Sequence, residues 1–174
     1  MDTRIILIRH GETAWNREKL FRGMHDVPLN DQGRRQAQAA AIALAGLTIH
    51  AAYTSPLLRA VETAAIILQP HGIAALPHEG LKDINYGEWT GHAEGEVAER
   101  WPKEFADWCS RPEQARIPGG EALSEVSARA CRAMAELAAG HSGQTIALFA
   151  HRVVNKLLIL SALGLGMERF PLII

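Results

Sequence analysis

Cysteine is scarce in this 174-residue chain, occurring only at Cys109 and Cys131. Two cysteines make no disulfide framework, and the expected state is a small buried apolar side chain and a spare thiol rather than a bridge. Long apolar runs are absent too. The best candidate, residues 153–165, is interrupted by Asn155, Lys156 and Ser161, short of the ~18 residues of a membrane span. The N-terminus carries neither the charged region nor the long apolar region of a secretory signal, so a soluble, cytoplasmic protein without membrane association is expected. Charge of one sign is missing as well: 18 Lys and Arg stand against 19 Asp and Glu. That balance argues against a generic nucleic-acid binder, which carries a broad basic excess. No repeat or low-complexity linker marks a boundary, and residues 1–174 are expected to form one domain. A chain of this mass hides roughly 70% of its unfolded surface on folding, enough for a core without disulfides or a structural metal.

Several catalytic signatures are also lacking. Eight histidines are present, but none pairs at HxH or HxxxH spacing, and neither cysteine has a CxxC partner. The expectation is therefore no metal and no cofactor. There is no GxSxG elbow of a serine hydrolase and no GxxxxGK[ST] phosphate loop of a P-loop NTPase.

What is present reads as alternating strands and helices. Arg4–Ile8 is a continuous β-branched run, the mark of a strand buried on both faces. Asn30 is placed to cap a helix to about Ala45. Ala51–Thr54 reads as a strand, and Ser55-Pro56 as a cap with proline at the first helical position. The helix that follows carries Leu57, Val61, Ala64 and Leu68 on one face. Ile73–Leu76 is a third strand candidate. Residues 80–120 change texture, with three of the four tryptophans, and read as an insertion of short helices broken at Pro102. A long amphipathic helix spans Leu123 to Leu137, Gln144–Ala150 is a strand, and Val153–Leu163 is a buried helix. This order predicts an α/β fold, a mainly parallel sheet between two layers of helices. Ligands of such sheets sit beyond the carboxyl ends of the strands. Two strands end there in Arg9-His10-Gly11 and His151-Arg152.

Arg9, His10, His151 and Arg59, on the first turns of the helix after Ser55-Pro56, thus form a cationic constellation suited to a phosphoryl group, because guanidinium forks match phosphate oxygens in pairs. The residues around them resemble the histidine phosphatase superfamily, the phosphoglycerate mutase-like enzymes. Ile8-Arg9-His10-Gly11-Glu12-Thr13 with Trp15-Asn16 looks like its first signature. Phe21-x-Gly23 and Asp26-x-Pro28-Leu29 follow in the family's order. Ser55-Pro56-Leu57-x-Arg59-Ala60-x-Glu62-Thr63-Ala64 resembles its second signature, and Tyr86-Gly87-Glu88-Trp89 and Pro118-Gly119-Gly120-Glu121 resemble later ones. The resemblance runs from residue 4 to about 170.

The resemblance implies a metal-independent phosphomonoesterase acting on a small phosphorylated metabolite. His10 would carry the phosphoryl group, Arg9, Arg59 and His151 would hold its oxygens, and Asn16 would add a polar contact. Gly11 and Thr13 of the first signature are further candidates around the phosphate. The leaving oxygen needs a proton. The family usually has a glutamate before its Gly-x-Trp; here the position is Asp83, with Glu88 as the alternative donor and a further binding candidate. Two more departures stand in the pocket signatures. Arg22 replaces a common glutamine, and if it points inward it favours substrates with a second anionic group. Arg152 follows His151 where a small residue is common. Residues 80–120 are expected to cover the site and set substrate choice, with Trp101, Phe105 and Trp108 as a core stripe. Phe170–Ile174 reads as the stump of a truncated final strand, whose exposed apolar end would suit a homodimer. A cofactor-dependent phosphoglycerate mutase and a non-catalytic phosphate-binding module remain alternatives.

Overall fold

The computed structural model describes residues 2–173. Four strands build one sheet: β1 (Arg4–Arg9), β2 (Ala51–Thr54), β3 (Leu76–Pro77) and β4 (Thr145–Ala150). Their order is β1-β4-β2-β3, and every neighbouring pair is parallel. The helices are α1 (Ala14–Arg17), α2 (Asp31–Leu44), α3 (Leu58–Leu68), α4 (Glu94–Arg100), α5 (Pro102–Ser110), α6 (Leu123–Ala139) and α7 (Arg152–Ala162).

Strand β4 shows why the helices form two layers. Successive strand residues face opposite sides of a sheet. Ile146, Leu148 and Ala150 enter a core with Val126 and Ala130 of α6 and Val154 and Leu157 of α7. Ala147 and Phe149 enter a second core with Ala37 of α2 and Ala64, Ile67 and Leu68 of α3. These five of the six β4 residues are fully buried. Each large apolar side chain so placed contributes about 1.5–3 kcal/mol. The α/β architecture read from the alternation is the one observed.

Local details differ from the sequence reading for identifiable reasons. Strand β1 is only half-buried along residues 5–8, because it is an edge strand paired on one side, with β4. The third strand lies at Leu76–Pro77 rather than 73–76, paired with Tyr53 and Thr54 at the opposite edge; an edge tolerates a proline that has no N–H to donate. Helix α3 starts at Leu58, and Ser55 is not its cap. Asp26, from the loop before α2, accepts the Leu58 N–H at 2.7 Å instead. Residues Met167–Leu172 form 3-10 turns, not a strand. Phe170 is buried there, and Pro171 cannot donate to a ladder. Ile173 is extended but joins no strand among the described residues, and Ile174, the last residue of the expected strand, lies outside them.

Within 80–120, Pro102 opens α5 directly after α4, as a break at that proline requires. Leu81, Ile84, Trp89, Val97 and Ile117 join the α6/α7 core, with Trp101, Phe105 and Trp108 packed half-buried on it. The segment is thereby anchored where it can contribute side chains to the carboxyl edge of the sheet.

Candidate active site

Parallel pairing sets Arg9 opposite Ala150, so the residues that follow, His10 and His151, leave the sheet together. The His10 N–H donates to Ala150 O at 3.1 Å, and the two imidazole centroids are 5.2 Å apart. The chain after His10 is held against two helices. The Gly11 N–H donates to Thr63 Oγ1 of α3 at 3.1 Å, and a Cβ on Gly11 would come within 2.5 Å of Gly33 O on α2. Only glycine allows that approach. Thr13 is buried and caps α1: Asn16 Oδ1 accepts from the Thr13 N–H and hydroxyl at 3.0 Å each, and Thr13 Oγ1 accepts from the Asn16 N–H. With its oxygen engaged, Asn16 keeps its amide N–H groups for other partners.

The tautomer of His10 follows from its neighbour. Its Nδ1 lies 2.7 Å from Gly11 O. A carbonyl only accepts, so Nδ1 carries the hydrogen and Nε2 keeps a lone pair. Nε2 is buried and has no partner among the described residues. Burial first, then Arg59, and with smaller effect Arg22 and Arg9, lower the His10 pKa to about 3. The ring is neutral across the physiological range. His151 is also neutral: burial, then Arg59 and His10, hold it well below the usual imidazole value. Its Nε2 lies 2.8 Å from Ser55 Oγ, so Ser55, read from the sequence as a helix cap, is instead a partner of His151.

Asp83 joins this group. Its Oδ2 accepts from Arg59 Nη2 at 3.0 Å and lies 3.6 Å from His151 Nδ1. Its Oδ1 accepts from the Ile84 N–H at 3.0 Å. Burial raises its pKa, opposed by Arg59 and Arg22, so the protonated carboxyl is favoured over what an exposed aspartate would show. Arg59 itself has no exposed surface and donates also to Gly23 O and His25 O; its Nε lacks a partner among the described residues.

One residue that organises this corner escaped the sequence reading. Arg129 of α6 donates to the backbone oxygens of Gly80, Lys82 and Asp83 and forks onto both carboxylate oxygens of Glu121. It thus fixes the backbone that carries Asp83. The available signal was Glu121 in the Gly-Gly-Glu motif, whose partner only the fold identifies.

A cleft of about 610 Å³ opens at this edge of the sheet, lined by Arg9, Asn16, Arg22 and Asp83 together with Tyr86, Trp108, Arg152 and Lys156. Arg22 does point inward: its Nε is buried and unpartnered among the described residues. His10, Arg59 and His151 are buried and do not line it. Gly11 and Thr13 do not line it either; Gly11 packs closely on Gly33 and Thr13 caps α1. Glu88 lies exposed on the 3-10 turn Gly87–Trp89, outside the lining. The geometry therefore puts Asp83, not Glu88, beside the histidines. Cys109 and Cys131 are both free. Cys131 packs half-buried on the core, short of the full burial expected, and Cys109 is exposed and reaches the cleft.

Two buried neutral histidines have a consequence for stability. In the unfolded chain they titrate at about 6.5; in the fold they do not, and for His10 protonation waits until about pH 3. Below pH 6.5 the unfolded state therefore binds protons that the folded state does not, and stability falls with falling pH through this window. We expect His10→Ala to reduce that acid sensitivity. Urea midpoints of wild type and variant at pH 7.5 and 4.5 check this; an equal drop in both proteins contradicts a neutral buried His10.

A parallel α/β sheet with two histidines and arginines at its carboxyl edge is the arrangement that the resemblance to the phosphoglycerate mutase-like enzymes implies. A model of the histidine phosphatase superfamily (branch 1) matches residues 5–174, and the chain belongs to that superfamily, as an enzyme of the phosphatase type. It is 29% identical to phosphoserine phosphatase 1 of Hydrogenobacter thermophilus, over 96% of this chain and 79% of that one. It is 31% identical to a 2,3-bisphosphoglycerate-dependent phosphoglycerate mutase of Methylobacterium radiotolerans, over 98% and 84%. The solved structure of Bacillus stearothermophilus YhfR superposes with a TM-score of 0.93 at 32% identity, covering 97% of this chain and 83% of that one. Among the described residues, no helix is long and apolar enough to cross a membrane.

Proposed function

We propose that this enzyme hydrolyses a small phosphomonoester in the cytoplasm, through a phosphohistidine on His10 and without a metal ion. The observation that carries the reading is the His10 ring: neutral, with its hydrogen fixed on Nδ1 and the Nε2 lone pair unpartnered, beside arginines. A neutral imidazole is the competent nucleophile, and the same cations that keep it neutral stabilise charge on the equatorial oxygens of a transferring phosphoryl group.

In the first step His10 Nε2 attacks phosphorus. The N–P bond forms, the bond from phosphorus to the ester oxygen breaks, and Asp83 delivers a proton to the departing oxygen. In the second step water attacks the phosphohistidine and gives a proton to Asp83. The N–P bond breaks, and inorganic phosphate leaves with the enzyme restored. Arg9 and Asn16 hold the phosphate oxygens from the cleft, and Arg59 Nε and His151 do so from beneath it. What supports metal independence is that this cationic set performs the charge neutralisation that Mg²⁺ performs elsewhere. Among the described residues, no three His, Cys, Asp or Glu side chains group as metal ligands.

Likeness to a mutase keeps a second reading in view, transfer of the phosphoryl group back to a phosphoglycerate. Net release of inorganic phosphate separates the two, because a mutase conserves ester phosphate. The expected outcome is phosphate release from p-nitrophenyl phosphate that persists in EDTA. Loss of turnover on chelation, restored by one divalent metal, contradicts the metal-free chemistry.

A further inference from the structure

The cleft holds more positive charge than one phosphoryl group requires. Arg9, Lys19, Arg22, Arg152 and Lys156 line it against only Asp83 and Glu94, and Asp83 is already paired with Arg59. Arg152 and Lys156 carry the excess on α7. They lie four residues apart, so they share one helix face, where like charges repel. Among the described residues, Arg152 forms neither a side-chain hydrogen bond nor an ion pair with an acid. Lys156 is only 6% exposed. Its Nζ makes one long bond, 3.5 Å to Phe170 O, and lies 4.9 Å from the centroid of the Phe170 ring. An ammonium has three donors, so most of its hydrogen-bonding capacity is unspent. Arg22 likewise has a buried, unpartnered Nε. Burying a charge with few partners is costly, and burial together with mutual repulsion lowers the pKa values of Arg9 and Lys156.

We propose that Arg152 and Lys156, with Arg22 from the loop before α2, form a second anion subsite, and that the substrate is a phosphomonoester whose leaving group bears a further anionic group. A bound carboxylate or second phosphate would satisfy the idle donors and relieve the repulsion along α7. This assignment rests on the phosphatase reading above and adds the substrate class and its specificity residues. Trp108, Tyr86 and Phe170 line the same cleft and supply apolar walls for the carbon skeleton between the two anions.

The test uses matched esters that differ in the second group. In one pair, 3-phosphoglycerate and glycerol 3-phosphate exchange a carboxylate for a hydroxymethyl group. In the other, fructose 1,6-bisphosphate and fructose 6-phosphate differ by a phosphate. Wild type is expected to favour the more anionic member of at least one pair by about 10–100-fold in kcat/KM, the range for charge-assisted hydrogen bonds. The favoured pair tells carboxylate from phosphate. Arg152→Ala, at an exposed position, and Lys156→Met, which keeps the apolar stem, are each expected to reduce that ratio about tenfold. Because the readout is a ratio, a general loss of folding or turnover cancels. Ratios near one in wild type, or ratios unmoved in Arg152→Ala, overturn the subsite; if p-nitrophenyl phosphate is still hydrolysed, the phosphatase reading stands. Equal loss on both members of a pair leaves the ratio unmoved and overturns the subsite as well. No phosphate release from any ester, p-nitrophenyl phosphate included, overturns both.

Discussion

Replacing His10 with alanine is expected to lower turnover of p-nitrophenyl phosphate by on the order of 10³-fold or more, as loss of a covalent nucleophile does. The expectation rests on three features of one ring. Its Nδ1 hydrogen is fixed on Gly11 O at 2.7 Å, its Nε2 is unpartnered among the described residues, and its pKa of about 3 keeps it unprotonated. His151 is also neutral, but its Nε2 is engaged with Ser55 Oγ and its Nδ1 faces Asp83 Oδ2 at 3.6 Å. Rapid-quench trapping with radiolabelled substrate should leave acid-labile, base-stable phosphate on wild type and none on the variant. Near wild-type turnover by His10→Ala would end the phosphohistidine mechanism.

The second large effect belongs to Asp83 and depends on the leaving group. An alkoxide is a poor leaving group and needs a proton as it departs, whereas p-nitrophenolate leaves with little help. Asp83→Asn is therefore expected to depress hydrolysis of alkyl phosphates by roughly 10²–10⁴-fold, the usual contribution of a general acid, and that of p-nitrophenyl phosphate much less. The comparison is clean for a structural reason. Burial raises the Asp83 pKa, so the site disfavours the charged form more than water does. An asparagine oxygen can still accept from Arg59 Nη2, which Asp83 Oδ2 meets at 3.0 Å; its NH2 loses the contact to the Ile84 N–H, a structural cost common to both substrates that cancels in the comparison. Equal losses on both substrates would remove Asp83 from the proton-donor role. No loss on either would leave it a purely structural partner of Arg59.

The chain's own pattern decided the layers and the edge at which chemistry occurs. Alternation of short β-branched runs with amphipathic segments implies a parallel sheet covered on both faces, because a strand and a helix each bury an apolar face only against the other. His10 and His151 were legible together because each directly follows a strand, and parallel strands bring their carboxyl ends to one edge. Capping of α2 by Asn30 was legible for a similar reason: the side chain reaches the Gly33 N–H three residues on, at 2.8 Å, a contact that sequence spacing alone defines.

Contacts between residues distant in sequence were not legible, since spacing carries no information about them. Whether β1 or β4 would be the buried strand depended on sheet order, and β1 became an edge. Ser55 looked like a helix cap by its neighbours, yet its hydroxyl meets His151, 96 residues away, and Asp26 caps the helix in its place. The same holds for the choice between Asp83 and Glu88. Both are acids in one motif, and only the fold buries Asp83 against Arg59 while leaving Glu88 exposed. Arg129, which fixes the Asp83 backbone from α6, has no local signature at all. Sequence determined which chemistry the sheet edge would carry, because backbone periodicity is local; tertiary structure decided which acid, which cap and which cations serve it, because desolvation and pairing exist only once distant segments meet.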